Sequence, residues 1–368
     1  VLGAQVLGRV FARQTGQGET VGVLLPNVNA TSVTLFGLWW HGRKAAMLNY
    51  SAGQKNMLSA CATAQIKLVV TSRVFIAKAG LEAVIEALND KVRVIYLEEV
   101  RKSVSPLAKL RGVFDRLRAA SIIAGNGARP DDAAIILFTS GSEGEPKGVV
   151  LSHSNLLTNI SQIAHHVDLS RFKTFFNPLP VFHSVGMTGG LLLPLIAGIR
   201  AVQYPSPLHY REIPKLVGEV KADLLFGTDT FIAGYARAAA PQDLKSVRMI
   251  VAGAERVKEE TRALWEKFGT EIIEGYGATE CAPVVALNTL ESNRPGSVGQ
   301  ILPGIEHRLE PVKGIHKGGR LVVRGGNVML GYLLPGGDGN LVPPTDGWHD
   351  TGDIVEVDAG GFVTIKGR

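Results

Sequence analysis

A chain of 368 residues is longer than most single compact domains, so two or three subdomains are expected. Hydrophobic residues make up 45% and charged residues 20%, which is typical of a globular chain with a large core. The net charge of +6 favours acidic partners such as phosphates, anionic lipids or an acidic protein. No dense tract of Lys and Arg resembles a nucleic-acid-binding arm, so we expect no nucleic-acid partner.

Cysteine use argues against a metal-binding or disulfide-stabilised chain, and hydropathy argues against a membrane-spanning one. Cys61 and Cys281 are far apart and form neither a metal-ligand spacing nor a disulfide framework, which favours a reducing compartment. The longest apolar run, Val185–Ala197, is interrupted by Gly189 and Pro194 and is shorter than the roughly 20 residues that span a bilayer, so we expect no transmembrane segment.

The first third of the chain alternates strand-like and helix-like segments. The pattern predicts strands at 20–25, 66–71 and 92–96 and a helix at 30–41. This alternation favours parallel α/β layers. After a polar joint at 126–132, the apolar run Ala133–Phe138 predicts a strand buried on both faces.

A basic amphipathic segment precedes that joint. Its apolar residues recur at helical spacing, and basic residues lie among them: Leu107, Leu110, Phe114 and Leu117, with Lys109, Arg111, Arg116 and Arg118. Such a helix suits an anionic membrane surface, but an ordinary surface helix with a solvated face is the more common case.

Beyond about Asn293, Gly, Pro and short β-rich runs such as Gly319–Arg324 and Gly361–Ile365 dominate. This change predicts an antiparallel or barrel-like subdomain. We therefore expect paired α/β subdomains in residues 1–292 and a β-rich subdomain in residues 293–368.

The most informative segment is the glycine-rich loop T-S-G-S-E-G-E-P-K-G, which follows the 133–138 strand directly. Small hydroxyl residues and glycines expose backbone N–H groups to phosphate oxygens, and Lys147 adds a mobile positive charge. The common alternative for a lone glycine run is a surface hairpin. The kinase-type pattern G-x-x-x-x-G-K-S/T and the dinucleotide pattern G-x-G-x-x-G are both missing.

This loop resembles the signature loop of the adenylate-forming (AMP-binding) superfamily. Segments similar to the other motifs of that superfamily follow in order, at Pro180–Gly186, Gly253-Ala254, Tyr276–Glu280, Gly319–Tyr332, Trp348–Asp353 and Lys366–Arg368. Together the ordered motifs span most of the chain and are specific. The resemblance implies an α/β fold of layered sheets and helices with a β-rich barrel-like part, and it implies ATP and Mg²⁺ as cofactors.

The resemblance assigns roles to residues by position. It implies a nucleotide-binding set of Thr139, Ser140, Gly141, Ser142, Gly144, Lys147, Gly253, Ala254, Tyr276, Gly277, Thr279, Asp353 and Arg368. Within this set Tyr276 offers a stacking face to adenine, Thr279 bonds the α-phosphate and Asp353 accepts the ribose hydroxyls. Catalytic roles fall to Thr279, Glu280, His183 and Lys147. Outside that context, the Tyr276–Glu280 segment reads as a turn with a helix cap.

The resemblance gives Glu280 and His183 roles other than nucleotide binding. The implied metal ligand is Glu280, which holds Mg²⁺ through a hard carboxylate oxygen. His183 is implied to act as a gate or wall of the acyl pocket more than as a base, although a lone histidine beside apolar residues is more often a satisfied core residue.

Longer stretches, including YPSPLHYR and LFGTDTF, are similar to the ligase half of bacterial bifunctional enzymes that join an acyl-acyl-carrier-protein synthetase to a 2-acylglycerophosphoethanolamine acyltransferase. The implied reaction activates a long-chain fatty acid and transfers it to the phosphopantetheine thiol of acyl carrier protein in lysophospholipid reacylation. A fatty acyl-coenzyme A ligase and a non-catalytic adenylate-binding module remain alternatives. Asp229 departs from the family, which usually has proline or serine there.

Further expectations concern the whole protein. The chain opens on Val1 and reaches Arg368, where the family has its hinge, so we expect a fragment that lacks the C-terminal lid and forms adenylate weakly. No H-x-x-x-x-D signature occurs, so we expect no acyltransferase domain in this chain. The full-length protein is expected in the cytoplasm, at the cytoplasmic face of the bacterial inner membrane, with a contact to that surface.

Overall fold

A computed structural model describes residues 2–140 and 144–368, and for residues 109, 116, 117 and 140 it describes the backbone alone. The chain forms two compact units, Val1–His153 with Leu330–Pro343, and Ser154–Met329 with Pro344–Arg368. Neither unit is a single continuous stretch, because residues 330–343 belong with the N-terminal part of the chain.

Parallel strands form most of the sheet in the first unit. Its strands are β1 (Thr20–Val23), β2 (Lys44–Met47), β3 (Leu68–Thr71), β4 (Arg93–Tyr96), β5 (Ala133–Ser140), β6 (Pro146–Ser152), β16 (Gly331–Leu333) and β17 (Leu341–Val342). They lie in the order β17-β16-β6-β5-β2-β1-β3-β4. The strands from β5 to β4 pair in parallel, whereas β6, β16 and β17 add in antiparallel fashion.

Helices connect these strands, as parallel pairing requires. In the first unit they are α1 (Leu2–Ala12), α2 (Asn29–Trp40), α3 (Gln54–Thr63), α4 (Arg73–Ala79), α5 (Glu82–Asn89), α6 (Leu97–Ser103), α7 (Pro106–Leu117) and α8 (Ala119–Gly125). β1 and β3 are buried along their whole length because helices cover both faces of a parallel sheet. The strands and the helix predicted for this part of the chain are confirmed to within three residues at each end.

The second unit holds two sheets. The larger contains β7 (Thr174–Asn177), β8 (Arg200–Gln203), β9 (Leu224–Gly227), β10 (Met249–Ala252), β11 (Glu271–Gly277), β12 (Val284–Leu287) and β13 (Gln300–Ile301). Its order is β13-β12-β11-β10-β9-β7-β8, with parallel pairing from β11 to β8 and antiparallel pairing at β12 and β13.

The helices of the second unit are α9 (His153–His166), α10 (Leu193–Ile196), α11 (Glu212–Val220), α12 (Asp229–Ala238) and α13 (Glu259–Glu266), and Val185–Leu192 is a π-helix. Short 3-10 turns occur at Leu169–Arg171, Thr279–Cys281 and Thr345–Gly347. A core cluster between these helices and the larger sheet centres on the buried Trp265, Tyr235 and Phe176. None of the helices in the described part of the chain is long and apolar enough to cross a membrane.

The smaller sheet consists of β14 (Glu306–Glu310), β15 (Gly319–Arg324), β18 (His349–Val357) and β19 (Val363–Gly367), in that spatial order and antiparallel throughout. The prediction of β-rich structure beyond Asn293 agrees with these strands. The barrel-like shape was wrong, because β14 and β19 are the edge strands of an open sheet in the described residues.

Gly299 lies where the two sheets of the second unit are hydrogen-bonded to each other. Val298 donates its N–H to the carbonyl of Val363 on β19 (2.9 Å), and Val363 donates back to the carbonyl of Gly299 (2.8 Å). At Gly299 φ is +85°, and a Cβ would lie 1.9 Å from the carbonyl carbon of Leu287 at the end of β12. Only glycine satisfies both the dihedral angle and the close approach.

Replacing Gly299 by alanine should therefore destabilise the second unit strongly. Gly299→Ala is expected to lower the free energy of unfolding by about 3 kcal/mol or more, because backbone strain adds to a steric clash. The matched control is Gly198→Ala, which has φ +74° and open space around the new Cβ, and should cost about 1 kcal/mol. Urea denaturation of both variants measures the difference, and equal losses would contradict the close-packing argument.

Candidate functional site

The carboxyl ends of four parallel strands lie at one edge of the larger sheet in the second unit. β7, β9, β10 and β11 are successive parallel neighbours in that sheet, and they end at Asn177, Gly227, Ala252 and Gly277. In open α/β sheets, ligands bind outside the carboxyl ends of the strands, where the loops leave room and carry polar groups. Most predicted site residues of this unit lie at or just after one of these ends; the exceptions are Asp353 on β18 and Arg368, which follows β19.

Small residues let the backbone loops approach each other at this edge. The N–H of Gly253 donates to the carbonyl of Gly227 (3.3 Å), and a Cβ on Gly253 would lie 3.4 Å from the carbonyl oxygen of Gly275. Ala254 has φ +66° and is exposed. The backbone at Gly253 therefore lies close to that of β11 at Gly275.

Tyr276 is joined to Asp353 by a side-chain hydrogen bond. The phenol oxygen of Tyr276 donates to Oδ2 of Asp353 over 2.6 Å, although the two residues are 77 positions apart in sequence. Burial raises the pKa of the Tyr276 phenol above its usual range, and the hydrogen bond to the Asp353 carboxylate raises it further. The phenol therefore stays protonated, and continues to donate, throughout the neutral pH range.

Asp353 itself is held by its own strand. Its N–H donates to Oγ1 of Thr351 (3.2 Å), and the buried Thr351 hydroxyl donates to the carbonyl of Leu321 on β15 (2.8 Å). Nε of Arg368 lies 3.7 Å from Oδ1 of Asp353, but the Arg368 side chain is 80% exposed, so this ion pair is weak. Asp353 thus keeps a fixed orientation, while the Arg368 guanidinium lies largely in solvent.

A second side-chain contact joins the Thr279–Cys281 turn to the Pro180–Gly186 motif. Oγ1 of Thr279 and Oγ of Ser184 are hydrogen-bonded over 3.2 Å. The turn is held by the segment before β16, because Met329 donates its N–H to the carbonyl of Glu280 (2.8 Å) and Nδ2 of the buried Asn327 donates to the carbonyl of Cys281 (2.8 Å). Ser184 and Asn327 were not predicted as site residues, although both lie within motifs that the sequence analysis quoted.

The His183 imidazole is solvent-accessible, yet its pKa lies below the usual value because the surrounding protein atoms disfavour the charged form. Its ring centroid lies 4.6 Å from that of Phe182. His183 is therefore neutral at pH 7.

The turn that carries His183 is tightly packed, because a Cβ at Gly186 would lie 2.2 Å from the carbonyl oxygen of Pro180. The π-helix at 185–192 follows at once. Its wide turns are supported by Asn177, whose Nδ2 donates to Gly186, and by Gln203, whose Nε2 donates to Gly190.

The glycine-rich loop belongs to the first unit and connects the antiparallel strands β5 and β6, in which Thr139 pairs with Lys147. A kinase-type P-loop instead precedes a helix, so the hairpin agrees with the exclusion of that class. Nζ of Lys147 lies 3.8 Å from the centroid of the Tyr332 ring. Gly141 and Ser142 fall outside the described residues, as does the Ser140 side chain, and Gly144 has φ +83°.

The hydroxyl groups at the strand ends test whether the site suits a polyanionic ligand. Oγ1 of Thr139 and Oγ1 of Thr228 are buried and have no hydrogen-bond partner within the described ranges, 2–140 and 144–368. A buried hydroxyl without a partner costs free energy unless a ligand or water satisfies it. In each unit, this fits an oxygen-rich ligand at the end of a strand.

No group of three or more His, Cys, Asp or Glu side chains forms a metal site in the portion of the chain that the structure describes. A single carboxylate such as that of Glu280 nevertheless suits Mg²⁺ in phosphate chemistry, because that ion takes one or two carboxylates together with substrate phosphates and water.

Comparison with known proteins identifies the family of this chain. A family model described as AMP-binding enzyme matches residues 4–333. The chain belongs to the AMP-binding enzyme family.

Similar proteins include a long-chain-fatty-acid–CoA ligase of Bacillus subtilis (strain 168), 26% identical over 385 aligned residues that cover 96% of this chain and 68% of the relative. A long-chain-fatty-acid–CoA ligase of Yersinia pestis is 31% identical over 252 residues, which are 64% of this chain and 44% of the relative. The chain thus matches less than half the length of the Yersinia protein.

The solved structure of O-succinylbenzoate coenzyme A synthetase from Bacillus subtilis in complex with AMP superposes with a TM-score of 0.79 at 20% identity, covering 100% of this chain and 90% of that one. At that identity the likeness shows the fold. The AMP-binding enzyme described here has the mixed α/β adenylate-forming fold that its sequence motifs imply.

The hydrogen bond between Tyr276 and Asp353 can be measured by a double-mutant cycle. Because Asp353→Asn replaces a charged acceptor by a weaker, neutral amide oxygen, Tyr276→Phe and Asp353→Asn should show a coupling energy of about 1 kcal/mol in the free energy of unfolding. Chemical denaturation of the wild type, both single variants and the double variant provides the four values.

Tyr235→Phe provides the control for this cycle, since the buried Tyr235 phenol donates to the carbonyl of Pro207 and makes no bond to Asp353. Its effect should add to that of Asp353→Asn within about 0.5 kcal/mol. A Tyr276/Asp353 cycle that is equally additive would show that the bond is not formed in solution.

Proposed function

We propose that this AMP-binding enzyme activates a long-chain fatty acid with ATP, forming acyl-adenylate and pyrophosphate, and then passes the acyl group to the phosphopantetheine thiol of acyl carrier protein. In the full-length protein this would serve lysophospholipid reacylation at the cytoplasmic face of a bacterial membrane. The enzyme class is an acid–thiol ligase that uses ATP and Mg²⁺.

The observation that carries the proposal is the arrangement at the carboxyl edge of the larger sheet. Within one unit, the 2.6 Å bond fixes Tyr276 against Asp353, and the 3.2 Å bond fixes Thr279 against Ser184. An aromatic ring, a carboxylate and a hydroxyl are the groups that bind a base, a ribose and a phosphate respectively. These bonds hold them before any ligand arrives, which lowers the conformational cost of binding.

In this scheme each residue of the second unit has one task. Asp353 accepts hydrogen bonds from the ribose hydroxyls, and its second oxygen stays bound to the Tyr276 phenol. Thr279 donates to an α-phosphate oxygen and can exchange its bond to Ser184 for that purpose. Arg368, which is 80% exposed, is free to reorient its charge towards the same phosphate or the ribose.

The charge that develops during the reaction has to be neutralised, because a carboxylate attacks a phosphate and both are anionic. Mg²⁺ would supply Lewis-acid stabilisation of the phosphate oxygens, with Glu280 as its protein ligand. In the first unit, we assign to Lys147 and the loop amides the binding of the outer phosphate oxygens. The Thr139 hydroxyl would also bind phosphate, since its oxygen is buried and has no hydrogen-bond partner among the described residues.

The fatty acyl chain is assigned to the segment Val185–Leu195 and to the neighbourhood of Gly253. Residues 186–194 are buried and apolar apart from Thr188. His183 stands at the exposed start of this segment as a neutral ring, which suits a gate or a wall of the acyl pocket. Asp229, which departs from the family pattern, is buried and accepts the N–H of Lys258 (3.0 Å), so it supports the loop after β10.

The thiol acceptor divides two candidates. The long stretches shared with acyl-acyl-carrier-protein synthetases favour acyl carrier protein. The names of the similar proteins from Bacillus and Yersinia favour coenzyme A, which is therefore the second candidate. A non-catalytic adenylate-binding module is the remaining alternative.

Fatty-acid-dependent exchange of pyrophosphate into ATP tests the first half-reaction. In the full-length protein, Glu280→Gln should lower the exchange rate at least about 100-fold, because a charged ligand of the transition state is lost. Glu291→Gln is the control, since Glu291 is an exposed partner of Arg171 in the same unit and should leave exchange unchanged. AMP binding with no exchange in the wild type would support the non-catalytic module.

The same preparation decides the acceptor when acyl carrier protein and coenzyme A compete at equal concentration. We expect acylated carrier protein to exceed acyl-coenzyme A by about tenfold or more, as read by mass spectrometry. The reverse ratio would overturn the carrier-protein assignment and leave the acid-activating chemistry intact.

A further inference from the structure

An exposed apolar stripe lies on α7 in the first unit. Leu107, Leu110 and Phe114 are 73%, 55% and 59% exposed, and they lie three and four residues apart on one face of the helix. Val113 beside them is 48% exposed. Soluble proteins rarely leave so many large apolar side chains uncovered within two helical turns, so the stripe indicates a contact surface.

The opposite face of α7 is fixed to the protein. Gly112 packs against α1 so closely that a Cβ would lie 2.9 Å from side-chain atoms of Leu2 and Val6. The buried Asp115 forms an ion pair with Arg9 of α1. Ser105 caps the N-terminus of the helix, because its hydroxyl accepts the N–H of Ala108 (3.2 Å), and the helix begins at Pro106. The exposed stripe is therefore presented on an anchored helix.

Basic residues are frequent in the sequence of α7 and its flanks. Between Arg101 and Arg118 the sequence has six Lys or Arg residues and one acidic residue, the Asp115 already paired with Arg9. This is a surplus of five positive charges within 18 residues of a chain whose net charge is +6. Arg111 and Arg118 are exposed and share the helix face of Leu107 and Phe114. The negative charge of Glu99, which precedes this stretch, is paired with Arg73 and therefore offsets little of the positive charge on α7.

We propose that α7 binds the surface of an anionic lipid bilayer, with Leu107, Leu110 and Phe114 inserted between headgroups and Arg111 and Arg118 on lipid phosphates. An apolar stripe bordered by arginines is the pattern of a helix that lies in the membrane interface. Arginine side chains are long enough to reach phosphates while their methylene stems stay in the apolar layer. This rests on the proposed function, because α7 would make the membrane contact proposed there for the full-length protein. The test below measures vesicle binding and not ligase activity. Failure of the membrane proposal can therefore be distinguished from failure of the proposed ligase function.

Co-sedimentation of the 368-residue chain with sucrose-loaded vesicles measures this binding. With vesicles of 30% phosphatidylglycerol in phosphatidylcholine, the wild type should bind at least about tenfold more tightly than with phosphatidylcholine alone. Raising the salt concentration from 0.1 to 0.5 M should weaken binding, because headgroup charges are then screened.

Two variants separate the apolar and the electrostatic parts. Leu107→Ser with Phe114→Ser should reduce the partition coefficient at least about tenfold on phosphatidylglycerol vesicles. Its control is Val74→Ser with Leu208→Ser, two side chains that are 57% and 63% exposed elsewhere, and binding should be unchanged.

Arg111→Glu with Arg118→Glu should abolish the preference for phosphatidylglycerol. Lys78→Glu with Lys91→Glu makes the same change in net charge at exposed positions of α4 and of the turn before β4, and should keep that preference.

Circular dichroism verifies that each variant is folded. The proposal is overturned if the wild type does not sediment with anionic vesicles, or if the control variants lose binding as much as the α7 variants. Purified acyl carrier protein, which is acidic, tests a different partner for α7. The proposal is also overturned if the wild type binds this protein but not vesicles, and if the α7 substitutions abolish that binding.

Discussion

The short hydrogen bond from Tyr276 to Asp353 is the interaction on which the candidate site of the second unit depends. It joins the end of β11, in the larger sheet, to β18 of the smaller sheet. The donor and the charged acceptor are 77 residues apart in sequence and belong to different sheets. Their 2.6 Å bond therefore requires a fixed arrangement of these two sheets. Gly299 contributes to that arrangement, because its carbonyl accepts the N–H of Val363 on β19 at a point that no larger residue can occupy.

The parallel sheet explains why the remaining groups collect where they do. Each β-α connection returns the chain to the same edge, so loops from distant parts of the sequence end side by side. Thr279, Ser184 and the backbone at Gly253 follow three different strands, and all three come after the carboxyl end of a strand of the larger sheet. Asn327 and Met329 donate hydrogen bonds to backbone carbonyls of the Thr279–Cys281 turn and hold it in place. The site is therefore preorganised by hydrogen bonds more than by ion pairs.

Much of this arrangement was predictable from sequence, for identifiable physical reasons. The buried strand at 133–138 and the strands near 20, 66 and 92 are short apolar runs bounded by turn residues, a strong local signal. The motifs at Tyr276–Glu280 and Trp348–Asp353 predicted Tyr276 and Asp353 as ligand-binding residues. Their mutual hydrogen bond was not predictable, because spacing along the chain carries no information about contacts between sheets.

Other features depended on packing that no local pattern reveals. Ser184 and Asn327 are small polar residues within longer motifs, and only their bonds to the Thr279–Cys281 turn distinguish them. The open edge of the smaller sheet was mistaken for a barrel because Gly-rich antiparallel strands look alike in both. The exposure of Leu107, Leu110 and Phe114 was not evident either, since apolar residues at helical spacing normally face the core.

Calorimetric titration of AMP into the chain tests the central claim most directly, namely that the edge holding Tyr276 and Asp353 binds a nucleotide. The wild type should bind, and Asp353→Asn should weaken binding about 10- to 100-fold, because the ribose hydroxyls lose a charged acceptor. The matched control Asp358→Asn lies in the turn between β18 and β19, where the carboxylate pairs with Arg294, and it should bind AMP like the wild type. Equal affinity of the Asp353→Asn variant and the wild type would contradict the account.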